Sequence, residues 1–234
     1  MTVPLETVLP GNGTLALVGS GEYLPGMKPV DQFLLNCLQV PAHVTCLPTA
    51  AGTEGNDRLK YWSNLGESHF LDMGVASVQS LSIIDRKSAN DAELTRPLKR
   101  SNFIYLSGGK PSYLYKSIQG TETWQAIVGV LRNGGVVAGC SAGAMIFGES
   151  IPDLKLSSRF THSGFGFLPG VFIVPHYDEI PAIIKIGISR LAKKMTMVGI
   201  DGYTALVCKQ SGCTVVGKGA VTVIKDDRSQ EFFQ

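Results

Sequence analysis

Runs of apolar and β-branched residues alternate along the chain with stretches whose apolar positions recur every three or four residues. TLALVGSG (14–21) predicts a strand ending in a glycine turn, and DQFLLNCL (31–38) predicts a helix behind Pro25 and Pro29. HVTCLPTA (43–50) predicts a second strand, and 54–74 contains a helix. VASVQSLSII (75–84) and NFIYLSGG (102–109) predict two more strands, the latter closing on paired glycines. TETWQAIVGVLRNGG (121–135) opens with Thr121 as a hydroxyl cap, has Glu122 behind it and ends on glycine, which is the punctuation of a helix. VVAGC (136–140) then predicts a buried strand. Apolar strands alternating with helices imply an α/β fold, with a mostly parallel central sheet covered by helices on both faces.

After Ser150 the rhythm changes. LPGVFIVPHY (168–177) predicts a strand running into a polar end. Ile183, Ile184, Ile188 and Leu191 fall at helical spacing, so 180–194 is expected to be an amphipathic helix. The tail from 197 to 225 breaks into three short strands with glycine turns, expected as antiparallel C-terminal strands at the edge of the sheet. No linker, low-complexity tract or internal repeat interrupts the pattern, so residues 1–234 are expected to form a single domain.

Composition changes this picture little. At 234 residues with 44% hydrophobic and 17% charged side chains, the chain can fill one globular core. A net charge of +2 argues against nucleic acid as a partner, and Lys193-Lys194 reads as a solvated helix face. The N-terminus has no basic start followed by an apolar core, and no apolar run approaches the ~20 residues of a membrane span. Five cysteines, at 37, 46, 140, 208 and 213, include no Cys-x-x-Cys pair. The expectation is reduced thiols in a cytoplasmic protein, with no disulfide frame, no zinc site and Cys208 and Cys213 merely flanking a turn.

The chemistry concentrates in GGVVAGCSAGAMIFGES (134–150), where Gly139-Cys140-Ser141-Ala142-Gly143 matches Gly-x-Ser-x-Gly at a strand-to-helix junction. A nucleophile on so sharp a turn takes a strained backbone conformation, and large neighbours would collide with the strand and the helix. Cys140 is the alternative nucleophile, but centring on it places Ala138 and Ala142 at the flanks, whereas Ser141 has both glycines. A serine hydroxyl needs a base. Of four histidines, His43 and His69 read as structural or exposed, and His162 lies in the loop FTHSGFG. His176 ends a strand, at the carboxyl edge where open α/β sheets place their sites, and is the first choice, with His162 in reserve.

GCSAGA, GFGFLPGVFIVPHY and VGIDGYTALV, in that order, resemble the serine peptidase family that includes cyanophycinase and dipeptidase E (aspartyl dipeptidase). LVGSGEYLPG and IYLSGGKPSYL extend the likeness, which runs from about Ala16 to Val207. The resemblance implies a class I glutamine amidotransferase-like fold, Ser141 as nucleophile, His176 as base, and neither metal nor cofactor. It also implies an oxyanion hole from the Gly109 and Ala142 amides, with Gly108 shaping the approach. A small peptide substrate follows, one with an acidic residue beside the scissile bond. Lys110 departs from the polar amide or acid usual at that place in the family, and reads either as the holder of a substrate carboxylate or as an exposed lysine. Relatives in this family often form homodimers. The third member of a triad stays open. Gly202 stands where cyanophycinases carry an acid, which leaves Asp153, Asp178, Glu179 and Asp201 as alternatives, Asp201 and Asp153 foremost.

Overall fold

Successive residues of the predicted strands face two different cores, and that alternation builds the molecule. The computed structural model describes residues 2–152, 160–189, 195–226 and 228–234. In chain order the strands are β1 Thr2–Val3, β2 Thr14–Val18, β3 His43–Leu47, β4 Ser77–Ser80, β5 Phe103–Leu106, β6 Val136–Cys140, β7 Ser150–Pro152, β8 Phe160–Ser163, β9 Val171–Val174, β10 Thr196–Ile200, β11 Thr204–Lys209, β12 Gly212–Gly217, β13 Val221–Lys225 and β14 Arg228–Phe232. The helices are α1 Lys28–Leu35, α2 Asn56–Asp72, α3 Ala92–Thr95, α4 Pro111–Ile118, α5 Glu122–Arg132, α6 Ala142–Met145 and α7 Ala182–Ser189.

The main sheet has the order β1-β12-β11-β2-β6-β5-β3-β4. The five strands from β2 to β4 in that order are parallel, and β11, β12 and β1 add antiparallel to the β2 side. Leu15, Leu17, Leu47, Ile104, Leu106 and Val137 turn to one face, where α4 and α5 bring Leu114, Ile127 and Leu131. Ala16, Val18, Val44, Phe103, Tyr105 and Ala138 turn to the other, against Val30 and Leu34 of α1 and Phe70 of α2. The period-two strand pattern thus fills both faces, as a parallel sheet requires. Thr121 caps α5 as expected, its Oγ1 accepting from the Trp124 amide at 3.3 Å.

Three expectations need correction. The expected antiparallel edge forms from β11 and β12 on the main sheet, but the tail holds more than three strands, and β10, β13 and β14 join β9 in a second sheet of order β14-β13-β10-β9. Glycine turns end strands but do not say which sheet the next strand enters, because a strand pairs with whatever edge its burial pattern fits. The second correction concerns the thiols. Cys208 and Cys213 are disulfide-bonded, because β11 and β12 pair these two residues directly, with their Cα atoms 4.1 Å apart. The free cysteines are Cys37, Cys46 and Cys140, and the cytoplasmic expectation loses the support it drew from unpaired thiols.

The third correction is the amphipathic helix. α7 forms, but Ile183 and Ile184 of the expected apolar face are 76% and 39% exposed, and only Ile188 of its three described residues is buried. The helix packs beside an open cleft rather than across the core. Ile188 joins Phe172, Val174, Tyr177 and Met197 under the second sheet. Leu191 and the lysine pair lie outside the described residues. No helix among the described residues is long and apolar enough to cross a membrane.

Candidate active site

Ser141 follows β6 directly and precedes α6, with φ 50 and ψ −109, a positive φ that non-glycine residues avoid. The surroundings impose this turn. The Ser141 amide donates to the Val18 carbonyl at 2.9 Å, and the Ser141 carbonyl accepts from Ala144 at 3.0 Å and Met145 at 3.1 Å. The two glycines of the motif are needed for close approach. A Cβ on Gly139 would lie 2.3 Å from the Gly143 carbonyl oxygen, and one on Gly143 would lie 2.5 Å from that of Leu106. The chain around the serine is therefore backbone packed on backbone, and the serine side chain is what projects into the cleft.

His176 comes from the other sheet. β9 ends at Val174, Pro175 follows, and His176 takes a left-handed conformation at φ 52 and ψ 35. A 3₁₀ turn over Tyr177–Glu179 then doubles the chain back, with the Glu179 amide donating to the His176 carbonyl at 3.0 Å. This places the imidazole between two partners: Nε2 is 3.2 Å from Ser141 Oγ, and Nδ1 is 3.2 Å from Glu179 Oε2. The second contact is partly wet, since the Glu179 side chain is 62% exposed.

Among the described residues the carboxylate at the ring is therefore that of Glu179, and Asp201, one of the two foremost sequence candidates, is bonded elsewhere. Asp201 Oδ2 accepts from the Ala220 amide at 2.8 Å, capping the turn into β13, and burial raises its pKa. Asp153 lies outside the described residues, as does the side chain of His162. Asp178 is bonded to the position of Gly202, its Oδ1 accepting from the Gly202 amide at 2.8 Å, and a Cβ on Gly202 would lie 2.9 Å from Ser20 Oγ. His69, read as structural or exposed, is buried and bonds Asp31 at 2.8 Å, while His43 is exposed at the start of β3.

Gly108, Gly109 and Lys110 leave the carboxyl end of β5, next to β6 in the sheet. Gly109 has φ +142, and a Cβ there would lie 2.5 Å from the Ala50 carbonyl carbon and oxygen. Only glycine fits. Among the described residues the amides of Gly109 and Ala142 have no hydrogen-bond acceptor, and both residues line the same cleft as Ser141 and His176. Gly108 is buried behind them, and a Cβ there would lie 2.7 Å from Glu22 Oε1 and 3.4 Å from Ser141 Cβ. Lys110 is exposed at the rim, with Nζ 2.8 Å from Thr53 Oγ1.

Glu22 is the residue that the sequence reading missed. It lies 8% exposed beneath the site and accepts from the Gly108 amide at 2.9 Å through one oxygen and from the Cys140 thiol at 2.9 Å through the other. One carboxylate thus ties the glycine strand end to Cys140, the residue before Ser141. A glutamate directly after the first glycine turn, SGEY, was the signal available. The same contact bears on Cys140, whose thiol is fully buried. Burial first, and then the Glu22 charge, push its pKa well above the ordinary thiol value, the opposite of what a thiolate nucleophile needs.

The cleft around these groups has a volume of about 610 Å³ and is open to solvent. Residues 15–216 match the model of peptidase family S51. The chain is 30% identical over 173 residues to an uncharacterized peptidase of Pasteurella multocida, covering 70% of this chain and 80% of that one. It is also 30% identical over 168 residues to the cyanophycinase of Synechococcus elongatus, covering 66% of this chain and 51% of that protein, so the match spans about half of the cyanophycinase. The crystal structure of a peptidase from an acI-B1 Actinobacterium superposes with a TM-score of 0.83 at 32% identity, covering 94% of both chains. A Listeria monocytogenes structure at 20% identity and a TM-score of 0.65 shares the fold.

Proposed function

The chain belongs to peptidase family S51 and is a serine peptidase; on that premise we propose that it cleaves amide bonds in small peptides with Ser141 as nucleophile, His176 as base and Glu179 orienting the ring. The observation that carries this reading is the relay through one imidazole, with Ser141 Oγ at 3.2 Å from one nitrogen and Glu179 Oε2 at 3.2 Å from the other. Glu179 accepts from Nδ1–H, which leaves Nε2 as the acceptor for the serine proton.

Ser141 Oγ attacks the scissile carbonyl carbon as its proton passes to Nε2. The carbonyl oxygen becomes an oxyanion facing the Gly109 and Ala142 amides, donors worth about 3–4 kcal/mol each to the transition state. Collapse breaks the C–N bond, and His176 gives the proton to the departing amine. Water then repeats the sequence on the acyl-serine, and the carboxylic acid leaves with Ser141 restored. Lys110, the one cationic side chain lining the cleft among the described residues, supports a substrate carboxylate near the scissile bond.

Two rival readings are disfavoured by particular observations. A Cys140-dependent enzyme conflicts with a thiol that is sealed in the core and bonded to a carboxylate. A binding module that keeps only the scaffold has no use for an acid within hydrogen-bond reach of the histidine. The test is labelling with a fluorophosphonate. Ser141→Ala is expected to abolish it with the circular dichroism spectrum unchanged, and labelling that persists in this variant overturns the assignment.

A further inference from the structure

The walls of the cleft are chemically unequal. Around the Ser141–His176 pair, one stretch of the lining is Gly109, Lys110, Pro111 and Ser112, which carries backbone, a hydroxyl and an ammonium with a single proline among them. The other part is apolar, formed by Met145, Pro152, Ile180, Pro181, Ile184 and Ile188. The charged side chains among the described lining residues are Lys110 and Glu179. Lys110 stands on the polar side, with Nζ on Thr53 Oγ1, and the Glu179 carboxylate faces His176.

We propose that this apolar wall is a side-chain subsite, and that the peptides cleaved carry a large apolar residue, such as Leu or Phe, directly beside the scissile bond. The inference rests on the serine-hydrolase reading above and names its substrate class.

The argument is one of desolvation. An aspartyl side chain against Met145, Ile180, Ile184 and Ile188 would lose water and meet no donor among the described lining residues of that wall: Glu179 has its own sign, and Lys185, beside Ile184 in the chain, does not line the cleft and holds its Nζ 4.1 Å from the centre of the Tyr177 ring. A leucyl side chain in the same place removes its own surface from water together with that of the wall. Ile184 is 39% exposed and Ile188 is fully buried, so the wall has a fixed base and an open lip. Continuity with the catalytic pair identifies the occupant as the substrate: the residues that follow Glu179, Ile180 and Pro181, are themselves part of the wall. Lys110 remains available to a carboxylate on the polar side, so the preferred peptide joins an apolar residue to a free or side-chain carboxylate across the cleft.

The experiment measures kcat/KM for amine release from dipeptides in which Leu, Phe, Ala, Asp and Lys are placed in turn on each side of the scissile bond. At one of the two positions Leu or Phe is expected to exceed both Ala and Asp by about 10–100-fold, and Ile184→Asp is expected to reduce that ratio to within about threefold. Equal or better turnover with Asp or Ala at both positions overturns the subsite, as does a Leu preference that Ile184→Asp leaves intact. Calorimetric titration of Ser141→Ala with the same peptides separates this outcome from failure of the catalytic reading. Tighter binding of the Leu and Phe peptides upholds the subsite even where the wild-type protein releases no amine, and equal binding sinks it.

Discussion

Glu179 Oε2 lies 3.2 Å from Nδ1 of His176, although the two residues are only three apart in the chain. So short a link requires the chain to reverse at once, and the left-handed conformation of His176 followed by the 3₁₀ turn does this. The carboxylate and the imidazole are thus one local unit, brought to Ser141 by the end of β9. In return, the carboxylate sits in solvent, where its hold on the ring is weaker than in a sealed triad.

Glu179→Gln is expected to lower kcat by about 10²–10³-fold with little change in KM, less than the ~10⁴-fold seen when a buried orienting acid is lost, because this one is exposed. Asp201→Asn should stay within about threefold, since its carboxylate caps the Ala220 amide and not the histidine. Steady-state kinetics on one peptide substrate ranks the two variants. The reverse order would return the acid to Asp201.

The Gly108–Gly109 strand end is held from behind by Glu22, so loosening it should act on the transition state more than on substrate binding. Glu22→Ala is expected to lower kcat by about 10–100-fold at nearly constant KM, and Glu22→Gln, which keeps an oxygen for the Gly108 amide, should recover most of the loss. Gly109→Ala is the harsher change, because φ +142 and a Cβ 2.5 Å from the Ala50 carbonyl force the loop to move. Its fluorophosphonate labelling rate should fall by more than about 100-fold. Equal losses in the two Glu22 variants would deny the carboxylate this role.

Thiol counting checks the pairing of β11 with β12. Unfolded without reductant, the protein should titrate three thiols, from Cys37, Cys46 and Cys140, and all five after reduction. Five thiols before reduction would show that the facing cysteines are unbonded.

Asp31 gives stability a pH dependence of known sign. Its side chain is fully buried, Oδ2 bonds His69, and Oδ1 has no hydrogen-bond partner among the described residues. Burial raises its carboxyl pKa above the ordinary 3.8, while His69 pulls it back in part. The folded state therefore binds this proton more tightly than the unfolded state does. The contribution is full below the unfolded-state pKa and is lost as pH rises through the folded-state value. In urea unfolding from pH 4 to 7, the stability of wild type minus that of Asp31→Asn should shrink as pH rises. A difference that grows with pH contradicts this linkage.

Strands β2 to β6, helices α1, α2 and α5 among them, the elbow at Ser141 and its pairing with His176 were legible in the letters, whereas α3, α4, β7 and β8 were not. Apolar periodicity reports burial locally, and a chain that crowds glycine and alanine around one hydroxyl advertises backbone packed on backbone. Sheet membership of the tail, the Cys208–Cys213 bond, the exposure of Ile183 and Ile184, and the buried Glu22 were not legible. Each depends on which distant segment lies alongside, and side-chain type does not encode that. The acid shows the boundary most sharply. Asp178, Glu179 and Asp201 were all in view as carboxylates near a histidine, yet only the backbone turn at His176 decides which of them points back at the ring. Residue type and spacing determine what chemistry a stretch can supply; the direction of each side chain is a property of the folded backbone, and that direction chose Glu179.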